Sequence, residues 1–151
     1  MIDINKAPRE WSGDGGDSIR RRSNVFEHTS GIKRLRGKAT GRNAGTAYGD
    51  LVWVATIPDR KPPSISEQAA DIFSKLDQLL EKLDSNKERI VSAAVYLADL
   101  SHKLSFDEAW CTWIGDDSRH WPQRTCVGAQ LVGDTLVEIM LVAVRANRND
   151  E

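Results

Sequence analysis

The sequence predicts an α+β fold, a mixed β-sheet with two helices packed on one face, in the order β-β-β-α-β-α-β-β. Three observations carry that expectation. Ala69, Ile72, Phe73, Leu76, Leu79, Leu80 and Leu83 recur at helical spacing through residues 64–83. Residues 51–57 (LVWVATI) and 90–97 (IVSAAVYL) are apolar runs of strand length flanking that helix. Two Gly-Asp pairs, Gly49-Asp50 and Gly133-Asp134, supply turn chemistry between further strand candidates.

Residues 1–33 differ from the rest and read as an N-terminal arm, partly irregular. They hold Gly13-Asp14-Gly15-Gly16-Asp17 and Arg20-Arg21-Arg22 with few apolar side chains. Asp14 and Asp17 lack the acid spacing of a calcium loop, and the arginines read as a solvated charge run. Trp11 reads as an anchor of this arm on the body or on a neighbour. The remaining chain, 34–147, is one domain with a polar tail at 148–151. Residues 33–37 and 42–48 are strand candidates punctuated by Gly37, Gly41 and Gly45. Ser64 or Ser66 caps the first helix, Glu67 following Ser64 by three. The strand at 90–97 reads as buried, and the strand–helix–strand sequence around it predicts a crossover with parallel pairing. A second helix spans 101–114, its apolar face formed by Phe106, Ala109, Trp110, Trp113 and Ile114.

At 151 residues the chain has room for one substantial core. A formal net charge of -1 gives no reason to expect a nucleic-acid partner. Two cysteines without a CxxC spacing suit a reducing, cytoplasmic setting. No apolar run approaches the length of a membrane span, so no membrane partner is expected. His28, His102 and His120 are scattered without metal spacing, so the histidines give no reason to expect a metal site.

The last apolar block, residues 121–145, reads as two strands, 127–132 and 136–144, joined at Gly133-Asp134. Arg124, Cys126 and Glu138 stand out within it, because a charge among apolar strand residues is costly unless it has a partner or a ligand. Arg124 and Cys126 share a face by the alternation of strand side chains. A two-residue turn would put Glu138 on the other face, so that it meets Arg124 only across a subunit interface. A three-residue loop would bring it to Arg124's own face, with room for a small ligand between.

Four stretches carry a family resemblance: YGDLVWVA at 48–55, SNKERIVSAAVYLADL at 85–100, FDEAWCTW at 106–113, and PQRTCVGAQL with LVEIMLVAV at 122–144. On these the chain resembles the RidA/YjgF/YER057c/UK114 family of imine and enamine deaminases over roughly residues 34–146. The resemblance implies a chorismate-mutase-like, YjgF-type fold, a homotrimer with clefts between subunits, and no cofactor. It implies that Arg124 binds a substrate carboxylate, that Glu138 holds the attacking water, and that Cys126 lines the cleft. Asp107 stands where many members carry Asn, Arg42 aligns near a common tyrosine, and Ala55-Thr56-Ile57-Pro58 replaces a T-S-G-Q stretch, making Ala55 a pocket position. The implied activity is hydrolysis of enamine or imine derivatives of small carboxylic acids to keto acids and ammonia. Two alternatives follow from the changed pocket: a dedicated aminomuconate-type deaminase, and a non-catalytic trimer that binds small carboxylates and regulates a partner.

Overall fold

The structure is a computed structural model that describes residues 25–27 and 30–146. The expectations for Trp11, Asp14, Asp17, the arginine triplet, His28 and the C-terminal tail lie outside the described residues.

Among these residues, seven strands form one mixed sheet covered by two α-helices, an α+β architecture. The strands are β1 (Val25–Glu27), β2 (Lys33–Arg36), β3 (Asn43–Tyr48), β4 (Leu51–Thr56), β5 (Ile90–Leu97), β6 (Gln123–Gly128) and β7 (Val137–Val144); the helices are α1 (Ile65–Glu81) and α2 (Lys103–Ile114). Their order across the sheet is β1-β2-β3-β4-β7-β5-β6. β1 lies within the segment read as an arm and pairs antiparallel with β2.

α1 forms where its sequence signals place it. The Ser64 hydroxyl accepts from the Glu67 backbone N–H at 3.3 Å, which satisfies one of the orphan donors of the first turn. Its apolar stripe packs onto the inward residues of the sheet: Val52 and Val54 of β4, Ile139 and Leu141 of β7, and Val95 and Leu97 of β5, all fully or almost fully buried. The chain leaves the helix through Asp84, in the left-handed region at φ 60°, and the Ser85 hydroxyl donates to the Val144 carbonyl at 2.8 Å. α2 adds an aromatic layer. Phe73 of α1 stacks on Trp113 with centroids 4.6 Å apart and meets Trp110 edge-on at 5.9 Å.

Two pairing expectations are corrected. β4 and β5 are not neighbours: β7 lies between them, antiparallel to both. β4 and β5 do run parallel, but the direct parallel pairing belongs to the next unit, β5–α2–β6, with Ala93 opposite Arg124 and Val95 opposite Cys126. The last two strands form no hairpin either. The penultimate strand is Gln123–Gly128 rather than 127–132, and β5 separates it from β7. Gly133 does make a turn at φ 57°, but within a connection that carries the chain past β5. Buried Gln68 of α1 holds that connection. Its side-chain amide donates to the Pro62 and Asp134 carbonyls, both at 2.8 Å, and its carbonyl accepts from the Leu136 N–H at 2.9 Å.

Candidate functional site

The crossover sets the geometry of the first group of candidate residues. Among the described residues β6 is the last strand of the sheet, and its pairing places Arg124, Cys126 and Gly128 on the helix-covered face beside Ala93, Val95 and Leu97. Because α2 immediately precedes β6 and packs on that face, it meets Arg124 directly. The Arg124 Nη2 donates to Asp107 Oδ1 at 2.5 Å. The guanidinium lies 5.0 Å from the Trp110 ring centroid and 5.7 Å from that of Phe106. With 18% of its side chain exposed, Arg124 is a largely desolvated cation backed by aromatic faces. Lys103, one helical turn before Asp107, donates to Asp107 Oδ2 at 2.5 Å.

The electrostatics follow from these contacts. Burial raises the Asp107 carboxyl, but the bonds from Lys103 and Arg124 outweigh it and hold the group below its ordinary range. Burial pushes the Cys126 thiol up, only partly opposed by Arg124 and Lys103. It is therefore held protonated near neutrality and is a poor nucleophile there. At the far end of this strip a Cβ on Gly128 would lie 3.2 Å from Leu100 Cγ, so the absent side chain leaves room for Leu100.

Glu138 belongs to a different surface. It pairs with Tyr96, which in turn pairs with Val127, and this row faces away from the helices. Ala55 lies on the same open face, opposite Met140. Arg124 is in register with Ala93 and Leu141, on the covered face. Two strand steps across the sheet, or about 10 Å, and a further ~10 Å along it therefore separate Arg124 from Glu138, and the sheet itself stands between their side chains. The one-face arrangement that a three-residue hairpin loop would give is overturned, because β5 occupies the place where the two strands would have paired. Within one chain these two charges do not converge.

The open face carries several large apolar side chains among its polar ones: among the described residues Leu51, Trp53 (38% exposed), Val127, Met140 (47% exposed) and Tyr48 lie on it exposed. Arg42 stands apart from both groups. It is exposed in the β2–β3 loop, with β4, β7 and β5 between β3 and β6, so it does not join Arg124 within the chain. Thr56, at the position of the family serine, turns inward and its hydroxyl donates to the Ile57 carbonyl at 3.2 Å. For Lys103 the sequence carries a single signal, its four-residue spacing from Asp107 on a helix. Among the described residues no three His, Cys, Asp or Glu side chains gather as a metal site, and no helix is long and apolar enough to cross a membrane.

Comparison with known proteins agrees with this architecture. A family model described as Endoribonuclease L-PSP matches residues 43–145. The RutC family protein YoaB of Escherichia coli is 31% identical over 97 residues, which are 64% of this chain and 83% of YoaB. NMB1025 of Neisseria meningitidis, a YjgF protein family member of known structure, superposes with a TM-score of 0.72 at 24% identity, covering 80% of this chain and 99% of that one. The crystal structure of yeast Mmf1 matches with a TM-score of 0.65 at 29% identity, over 72% and 90% of the two chains.

Proposed function

Given that the chain belongs to the RidA/YjgF family, whose members also carry the RutC and endoribonuclease L-PSP names, we propose that it is an imine and enamine deaminase with a site assembled between subunits. In this reading the edge cluster of one subunit, Arg124 with Cys126 and Asp107, faces Glu138 on the open sheet face of the next. The uncovered apolar face supports association, because burying it against further copies removes Leu51, Trp53 and Met140 from water. A homotrimer is the assembly this reading requires.

The observation that carries the proposal is the Arg124–Asp107 bond. A largely buried guanidinium at a sheet edge already holds one carboxylate, so its N–H fork is placed to take the carboxylate of a small acid. The substrate's imine carbon then lies beyond Arg124, toward the neighbouring subunit. Water held by Glu138 adds to that carbon as Glu138 takes its proton, and the same carboxyl returns the proton to the nitrogen to give a carbinolamine; its hydroxyl proton then passes through Glu138 to the amine nitrogen as the C–N bond breaks and the C=O forms, giving keto acid and ammonia. Cys126, held as a thiol, lines the pocket.

The test generates imines in situ with an amino-acid oxidase and follows keto-acid and ammonia release. Wild type is expected to accelerate release, and Arg124→Ala to lose about two orders of magnitude in kcat/KM. An Arg124→Ala protein as active as wild type overturns the proposal. A second reading, a carboxylate-binding trimer without catalysis, is favoured by Thr56-Ile57 replacing the family Ser-Gly. Binding without acceleration, lost in Arg124→Ala, would select it.

A further inference from the structure

We propose that Lys103 and Asp107 set the charge accepted by the Arg124 subsite, making the chain selective for substrates with a single carboxylate. This rests on reading Arg124 as the carboxylate anchor and goes beyond it to the substrate's charge.

Both oxygens of Asp107 are engaged, Oδ1 by Arg124 and Oδ2 by Lys103, each at 2.5 Å. One carboxylate thus bridges two cations that lie no more than about 7 Å apart. Arg124 and Asp107 alone would form a neutral pair and offer an incoming anion no net attraction. Lys103 restores one positive charge, which one ligand carboxylate matches. A second ligand carboxylate close by would meet Asp107, a like charge that is held ionised by its two cations.

The rest of the strip offers a second carboxylate nothing. Along β6 from Arg124 come Cys126, a thiol, and Gly128, which has no side chain and lies beside Leu100. Within the chain, Arg42 is separated from Arg124 by β4, β7 and β5. Lys103 is also placed to keep hold of Asp107 while Arg124 engages a ligand, because the two sit one turn apart on α2. Asp107 is therefore a positioning residue for the guanidinium and the element that rejects a second negative charge. Lys103 is the compensating cation.

The test titrates two stable keto acids, the monocarboxylate 2-oxobutyrate and the dicarboxylate 2-oxoglutarate, into wild type, Lys103→Met, Lys103→Arg, Asp107→Asn and Arg124→Ala by calorimetry. Removing a charge at this separation in a partly exposed site is expected to weaken 2-oxobutyrate binding about tenfold in Lys103→Met, with Lys103→Arg restoring it to within about twofold. In Asp107→Asn the affinity ratio is expected to move about tenfold toward 2-oxoglutarate, a shift that a merely structural role would not produce. Unchanged binding in Lys103→Met, or an unchanged ratio in Asp107→Asn, overturns this inference alone provided Arg124→Ala still abolishes binding. If Arg124→Ala binds as wild type does, the carboxylate-anchor reading falls and takes this inference with it.

Discussion

Replacing Gln68 with Leu tests how β7, and with it Glu138, is held in place. Gln68 is fully buried on α1 and makes three hydrogen bonds to the segments on either side of the sheet connection: to Pro62, to Asp134 and from Leu136. Leucine matches its size but makes none of them. Each bond contributes about 1 kcal/mol net, and a buried group left unpaired costs about 1–3 kcal/mol more. Asp134 is exposed, so water can replace the amide at its carbonyl, whereas the Leu136 N–H and the Pro62 carbonyl are partly shielded. The expected loss is therefore about 2–4 kcal/mol. For a chain of this length that corresponds to a Tm lower by about 5–15 °C. The assay is thermal unfolding followed by circular dichroism at one fixed protomer concentration, since association would add to the apparent stability. A fall of less than about 2 °C would refute the assignment of these bonds as the tether of β7.

Three further outcomes follow from other parts of the structure. Gly45→Ala is expected to destabilise the fold by about 1–3 kcal/mol in urea denaturation, because the new methyl would stand 2.7 Å from Leu83 Cδ1 and 3.2 Å from the Trp53 carbonyl oxygen. Asp71 has its carboxyl held low, chiefly by the Arg60 side chain and also by the Arg60 and Asp59 backbone N–H groups. Its contribution is complete above the unfolded value near 3.8 and is lost as pH falls through the lower folded value, so between pH 5 and pH 3 the urea midpoint of wild type should drop further than that of Asp71→Asn. Iodoacetamide at pH 8 should alkylate exposed Cys111 before Cys126, whose thiol burial pushes above 9.0, and unfolding should abolish the difference.

What the sequence made legible was local. The α1 stripe, its Ser64 cap and the Gly49 turn between β3 and β4 depend on residues within a few positions of each other, and each formed where the pattern placed it. The misreading of β6 had a physical cause. Apolar Leu131 and Val132 followed by Gly133-Asp134 look like a strand entering a hairpin, yet Val132 is 89% exposed in the loop. The true strand, Gln123–Gly128, is polar because it is a sheet margin where Arg124 meets α2 rather than a core strand. Nothing in a local pattern states that a strand thirty residues upstream will insert between two consecutive ones. The same topology governs the site. Arg124, Cys126 and Asp107 do share one corner of the fold, while Glu138 and Ala55 share another, and the sheet between them turns a one-chain pocket into a question of assembly. Lys103 was legible by helical spacing, but its partner Asp107 acquired meaning only once β6 had brought Arg124 against it.

In the proposed site Arg124 and Glu138 act on one substrate from different chains. Mixing Arg124→Ala with Glu138→Gln protein after joint unfolding and refolding tests it most directly. Each variant alone should be inactive in imine hydrolysis. In random mixed assemblies about a quarter of the interfaces should pair an intact Arg124 with an intact Glu138, so roughly a quarter of wild-type activity should return. A mixture that stays inactive while forming mixed assemblies, with wild type active under the same refolding, would contradict the claim.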